Sequence, residues 1–413
     1  MKSISSQKRG SRLLRFSAVP GYFGIPFGTH GDTDPLYPLK KLIHILSGFI
    51  KAQPVLSIAS AAMLITCIFI PVDAAYLDYF NWQTLATLFC TLAVVNAFSH
   101  IHVFEILSNQ IVIRLHTLRN ACIGIVFITF FGSMLLANDM ALLTFLPLGF
   151  FVLNSTDNRQ AMAFVFILQN IAANLGGMVT PFGNPQNLYL YSYYNIDTVE
   201  FTTIMLPTFL AATLLIALTC LFIKPIPLTL KSAENYTLDK KRTLIYSVLF
   251  IASILIVFRV FPYILGTVVI TLALLLLDRK SLKEVNYPLL ATFCVFFVFS
   301  GNMARIPAVN EIFSSILPIN PLLFGILSCQ FISNVPSAVL LSHFTTDYQS
   351  LLPAVNIGGL GCLIASLASL ITFSEYKKHN PEGTKRYVVQ FTLINISFMI
   401  VLYVVQVISG NFM

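Results

Sequence analysis

Long apolar runs alternate with short polar ones along most of this 413-residue chain. A helix that crosses a bilayer needs about 20 apolar residues. On that scale residues 54–72, 83–104, 202–223, 243–260, 263–277, 287–303 and 387–408 read as spans. Four segments do not fit a plain span. Residues 120–156 are interrupted at Ala137-Asn138-Asp139, and 319–345 at Ser333-Asn334-Val335-Pro336. Residues 160–191 are too long for one span and break at Gly176-Gly177 and again through Thr180-Pro181-Phe182-Gly183-Asn184-Pro185-Gln186-Asn187. Residues 350–373 carry NIGGLGCLIASLASL. Pro removes a backbone donor and Gly tolerates unwound dihedrals, so these stretches predict helix breaks. In lipid a break survives only where protein buries it or where it lines a wet cavity.

The interruptions recur in order. Asn81-Trp82 with Leu85-Ala86-Thr87 matches Asn286-Tyr287 with Leu290-Ala291-Thr292. Ala137-Asn138 matches Ser333-Asn334, and Asn174-Leu175-Gly176-Gly177 matches Asn356-Ile357-Gly358-Gly359. In the last register Asn184 falls on Ser366 and Asn187 on Ser369. Cytoplasmic loops carry an excess of Lys and Arg. With a cytoplasmic N-terminus and both interrupted segments as re-entrant hairpins, every Lys and Arg except Arg259 and Arg305 falls inside. External segments then hold Asp73, Asp78, Asp197, Glu200, Glu311 and Asp347. The same assignment runs the helix after Asn81 inward and the one after Asn286 outward. The predicted fold is therefore an all-α polytopic membrane protein of two inverted repeats, each with a re-entrant hairpin and a broken transmembrane helix. Residues 1–53 form a tail with a candidate interfacial helix at 40–53, 54–223 the first repeat, 224–242 a cytoplasmic loop, and 243–408 the second repeat with the final helix.

Composition agrees with this pattern. The chain is 56% hydrophobic and 10% charged, against roughly 25% charged in soluble domains. A formal charge of +8 then reflects cytoplasmic loops against lipid headgroups rather than a nucleic-acid partner. Cys67, Cys90, Cys122, Cys220, Cys294, Cys329 and Cys362 lie in apolar segments without a CxxC pair or metal spacing, and read as packing residues. No HExxH and no Ser/His/Asp grouping points to an enzyme.

Candidate chemistry gathers at the interruptions. Asp139 is the one acid placed deep in the membrane, where an ionisable group is a functional candidate by default; its structural alternative is an N-cap for the second hairpin arm. Asn138 and Asn334, with Ser333, present polar groups at the tips. Thr180, Asn184 and Asn187 in the first break, and Ser366 and Ser369 in the second, offer oxygens and amides for a small solute. Asp139, Asn138, Gly176, Gly177 and Asn184 are the candidates for coupling to a cation or proton. Close helix packing is the alternative for the glycines. No metal centre is expected.

A hairpin with an SN-type tip, then a broken helix with a TPPN-like motif, then both again inverted, resembles the ion transporter superfamily. Its members include divalent anion–sodium symporters, citrate–metal carriers, arsenite permeases and certain sodium–proton antiporters. TPFGNPQN (Thr180 to Asn187) and SNVP (Ser333 to Pro336) stand where its motifs would, and the resemblance covers residues 54–408. Carboxylate symporters carry Ser-Asn-Thr at both tips; here the Asn is kept in each tip and the full motif in neither. The first tip, with its Asp, and IASLAS in the second break look more like the arsenite-permease and antiporter branches. The resemblance implies an inner-membrane secondary carrier of a small anion, a carboxylate such as citrate or a dicarboxylate first, working by alternating access with Na+ or H+ as coupling ion and no other cofactor. An arsenite or oxyanion permease, a Na+/H+ antiporter and a scaffold without transport activity are the alternatives. Lipids are the surrounding partners, and superfamily members are often homodimers.

Overall fold

Helix boundaries in the computed structural model follow local capping chemistry. It describes residues 47, 48, 50, 53–103, 106, 115, 117–155, 158–227 and 237–410. The tail before residue 47, most of the basic patch at 104–116, and residues 228–236 of the polar loop lie outside these. We number the helices α1 (Pro54–Phe69), α2 (Trp82–His100), α3 (Leu118–Leu136), α4 (Asn138–Ser155), α5 (Met162–Gly176), α6 (Pro185–Tyr193), α7 (Thr198–Cys220), α8 (Lys240–Val257) and α9 (Tyr263–Leu277). They continue with α10 (Arg279–Lys283), α11 (Tyr287–Arg305), α12 (Pro307–Ile316), α13 (Pro321–Ile332), α14 (Asn334–Leu341), α15 (Tyr348–Ile357), α16 (Leu367–His379) and α17 (Thr384–Gly410). The protein is all-α. Among the described residues, six segments are long and apolar enough to cross a membrane, including Trp82–His100, Leu118–Leu136, Arg159–Val179 and Thr198–Cys220.

The repeated Asn landmarks have a physical cause. Asn81 Oδ1 accepts the Thr84 N–H at 2.9 Å and Asn286 Oδ1 the Leu289 N–H at 3.1 Å, so each caps the helix it precedes. Several acids of the segments expected outside do the same work. Asp73, Asp197 and Asp347 accept N–H groups of Ala75, Val199 and Ser350. Each therefore satisfies a donor orphaned by a helix start.

All four predicted interruptions are present. Helix α3 ends and α4 begins around Ala137, and α13 and α14 meet at Ser333. Both residues are non-glycine with positive φ, 61° and 74°. The tips thus share one sharp backbone reversal, in a region L-residues adopt at a cost. The hairpins differ in length. Arms α3 and α4 have 19 and 18 residues, whereas α13 and α14 have 12 and 8. At 1.5 Å per residue the arms of the first are about 27 Å long, the depth of a bilayer core. Between α5 and α6 the chain passes a single 3-10 turn, Gly177–Val179, and an irregular stretch to Asn184. Between α15 and α16 it passes Gly358–Cys362 and a 3-10 turn, Leu363–Ala365.

The two copies interlock. In each, the first hairpin arm packs on the first half of its own broken helix, α3 on α5 and α13 on α15. The second arm also reaches the other copy: α4 packs on α5 and on α16, and α14 on α15 and on α6. Glycine makes the first contact possible. A Cβ on Gly176 would lie 2.1 Å from Phe130 O and 2.5 Å from Ser133 Oγ; one on Gly358 would lie 2.7 Å from Cys329 Sγ. Ser133 and Cys329 occupy the same place in the two hairpins. These elements, with α7 and α17, share one large apolar core. A second core lies between α2, α8, α9 and α10. We call the first body the core and the second the frame. Helix α1 packs on α11, joined by buried Asn302, which donates to Thr66 Oγ1 and Tyr76 OH at 3.1 and 2.9 Å.

Gly176→Ala forces a side-chain atom onto backbone that cannot yield. It is expected to destabilise by about 1–3 kcal/mol, read as a lower unfolding midpoint in detergent. Gly48→Ala, with nothing within 4 Å of its Cβ, leaves the midpoint unchanged.

Candidate functional site

The breaks expose backbone groups that no helix ladder satisfies, and buried amides take them up. Asn187 Nδ2 donates to Gly177 O and Met178 O at 3.3 and 3.1 Å, closing the first break on itself. Asn184 Nδ2 donates to Asn174 O at 2.9 Å, joining the start of α6 to the end of α5. Thr180 Oγ1 donates to Met134 O at 3.1 Å, tying the break to the first hairpin. In the second copy Ser366 and Ser369 hydroxyls lie 2.8 Å apart and Ser366 Oγ accepts the Ser369 N–H, capping α16. Ser333 Oγ donates to Ala365 O at 3.3 Å, tying the second tip to the second break.

The copies also meet each other. Asn356 of α15 sits against the first break: its Oδ1 accepts from Asn184 Nδ2 at 3.1 Å and Gln186 Nε2 at 3.3 Å, and its Nδ2 donates to Asn187 Oδ1 at 2.6 Å. Asn170 of α5 sits against the second: its Nδ2 donates to Ser369 Oγ at 3.4 Å and its Oδ1 accepts from Thr372 Oγ1 at 3.3 Å. The first half of each broken helix thus bonds the second half of the other. Asn174 and Asn356, equivalent in the repeat, each also donate one turn back, to Asn170 O and Leu352 O.

Both tips reach this network. Asn138 Nδ2 donates to Asn174 Oδ1 at 3.2 Å. A Cβ on Gly359 would lie 3.0 Å from Asn334 Nδ2 and 3.6 Å from Asn174 Oδ1, so both side chains flank Gly359 of the second break. The two Asn side chains have one conformation: Asn138 Oδ1 accepts the Asp139 N–H and Asn334 Oδ1 the Val335 N–H, both at 2.9 Å. Asp139 stands in the first turn of α4, 7% exposed, a position where a helix favours an acid. Gly177 keeps room for Asn184, whose Oδ1 would be 2.5 Å from a Cβ there.

The structure therefore brings Asn138, Asn334, Ser333, Thr180, Asn184, Asn187, Ser366, Ser369, Gly176 and Gly177 into one region, with Asp139 beside the first tip. Sequence reasoning missed the residues at its centre. Asn174 and Asn356 served only as landmarks of the repeat, and Asn170 and Thr372 were not singled out. Their signal was present: amides at i and i+4, such as Asn170 and Asn174, on an otherwise apolar helix share one face.

At the first break two acceptors stay unpaired: Asn184 Oδ1 and Gln186 Oε1 are buried without a hydrogen-bond partner in the protein. A buried polar group left unpaired costs roughly 1–3 kcal/mol. Oxygens of this kind are ligands for a hard cation or acceptors for a donor-bearing solute. Among the described residues, buried polar side chains include no Lys, Arg or His, and Asp139 is the buried acid. No group of three His, Cys, Asp or Glu is placed to hold a metal among those residues.

Other candidates lie elsewhere. His100 is held between Asp278 and Glu284, at 2.6 Å from each, within the frame. Arg305 pairs with Asp73 at 2.6 Å beside α1, and holds that carboxyl below its ordinary pKa. Trp82, 54% exposed, stacks on Phe80.

Comparison with known proteins gives one family. The family model described as citrate transporter matches residues 45–350. An uncharacterized transporter of Methanocaldococcus jannaschii is 32% identical over 293 residues, 71% of this chain and 80% of that protein. An inner membrane protein of Escherichia coli is 28% identical over 295 residues, 70% of this chain and 79% of that protein.

Asn356→Leu strands the donors of Asn184 and Gln186 and the acceptor of Asn187 together. It is expected to lower the unfolding midpoint more than Thr372→Val, which removes one hydroxyl, since each stranded group costs about 1–3 kcal/mol. Thermal unfolding of the purified variants in one detergent checks the order.

Proposed function

The chain belongs to the citrate transporter family, and from that premise we propose that it is a secondary carrier of a small carboxylate, with citrate or a dicarboxylate as substrate, coupled to Na+ or H+. The observation that supports this most is the meeting of two Asn-bearing tips with two helix breaks in one buried amide network. Helices α4, α6, α14 and α16 all begin at this region. A helix N-terminus presents free N–H groups and a partial positive charge, and so favours an anion without a Lys or Arg. The Asn138 and Asn334 amides then orient the solute, and Ser333, Thr180, Asn184, Asn187, Ser366 and Ser369 line its surroundings.

An anion alone leaves the site's charge incompletely compensated. The coupling ion fills that role on this reading. Asn184 Oδ1 beside Gly177, with carbonyls freed by the break near Gly176, forms the candidate cation position, and Asp139 supplies a carboxylate for a cation or a proton. The interlocking of the two copies supports an inverted pair. In such a pair, rearrangement of one copy into the other's conformation moves the site's opening from one membrane face to the other. The membrane is an inner membrane with the N-terminus inside, and a homodimer is the assembly the reading allows.

Reconstitution into proteoliposomes tests this. Radiolabelled citrate, succinate and malate are offered with an imposed Na+ gradient and, separately, a pH gradient. Uptake of at least one acid, driven by one gradient and reduced tenfold or more by Asn138→Ala and by Asn334→Ala, is the expected outcome. Full activity in both variants would reject the tip assignment. Arsenite flux without carboxylate flux would move the chain to the permease reading.

A further inference from the structure

We propose that Arg259, together with Asn81, forms a clasp that ties α6 to the frame, and that its release frees the Thr180–Asn187 break to rearrange. The inference rests on the reading that this break carries the site. Two hydrogen bonds join frame and core at the last turn of α6. Ser192 Oγ donates to Asn81 Oδ1, the cap of α2, at 3.2 Å. Arg259 Nη2 donates to Tyr191 O at 2.6 Å, and its guanidinium lies 4.7 Å from the centre of the Tyr191 ring.

The loop that offers Arg259 is built for this reach. Helix α8 ends with Arg259 N–H bonded to Ile256 O and Val260 N–H to Leu255 O, at 3.1 and 3.0 Å. This is the Schellman arrangement, whose left-handed position favours glycine. Here that position is Arg259, at φ 60°. The backbone thus holds an arginine where glycine is easier, and its side chain crosses to the neighbouring helix. A cation is favoured there because Tyr191 O lies at the C-terminal, partly negative end of α6. Stacking on the ring adds a contact that a point charge on a lysine does not reproduce as well.

The neighbouring residue touches the break directly. The Phe258 ring stands edge-on to that of Phe182, with centroids 5.9 Å apart. Phe182 lies between Pro181 and Gly183, inside the break. One loop of the frame therefore grips α6 at both ends: through Arg259 at its C-terminus and through Phe258 just before its start. Helix α6 has nine residues, short enough to shift as a unit when its C-terminus is released.

Hydrogen–deuterium exchange of the full chain in lipid nanodiscs, without added solute, tests the clasp. In Arg259→Gln, amides of 177–193 are expected to exchange tenfold or more faster as one segment, break included, with α3 unchanged. Arg259→Lys is expected to recover part of the protection. Acceleration confined to 190–196, or none, would overturn the proposal, because a purely local contact moves only its own turn. If Arg259→Gln does not yield folded protein, Ser192→Ala removes the second bond of the clasp and is read the same way. No solute enters this measurement, so its failure is separate from absence of carboxylate uptake.

Discussion

A backbone that leaves the helix inside lipid must find its hydrogen bonds within the protein. Here the crossing of two asparagine-bearing helices supplies them. Asn356 bonds to three amide side chains around the first break, and Asn170 to two hydroxyls at the second. Neither broken helix is satisfied by its own copy alone. The interlocked core follows from this, since each half must lie where the other's break can reach it. The glycines at 176 and 358 follow as well. They let the hairpin arms approach until the tips meet the amides.

The same requirement explains why some of the fold was legible in the chain and some was not. Breaks are local: Pro, Gly and a polar run announce them, and all four interruptions appear where the pattern placed them. The caps Asn81 and Asn286 are local too, and their repetition was visible as a register. The partners of the breaks are not local. Asn356 and Asn187 are 169 residues apart, and no periodicity in either segment points to the other. Hairpin length was also illegible, because α3 and α4 read as one interrupted run just as α13 and α14 do. Only the structure shows that the first pair has the longer arms. The frame was read as ordinary spans, and the division between its core and the larger one depends on which apolar faces meet.

Repetition in the contacts is closer than repetition in the residues. Gly176 against Ser133 matches Gly358 against Cys329, and Ala137 and Ser333 share a positive φ although they share no side-chain chemistry. Conformation at these points is fixed by the close approach and the reversal, which many residues can meet. The chemistry is free to differ between copies, and it does. The first break carries three buried amides, Asn184, Gln186 and Asn187, while the second offers the hydroxyls of Ser366 and Ser369. Two of the unpaired acceptors also belong to the first break.

That asymmetry bears on how an anion and a cation could share the site. Helix N-termini act on both copies alike, each contributing roughly 0.3–1 kcal/mol in exposed settings and more when partly buried. They therefore set a common preference for negative charge without choosing a side. Oxygens with no donor to accept from are what a cation needs, and these cluster with Asp139's copy. On the proposed reading the anion lies between the tips, where Asn138 and Asn334 are conformationally matched, and the coupling ion lies off-centre, on the first copy. Binding of the two then supports each other through opposite charge at short range in a low-dielectric interior. A carrier with this arrangement favours the doubly loaded and the empty forms over a site holding only one ion, which is the condition for coupled movement.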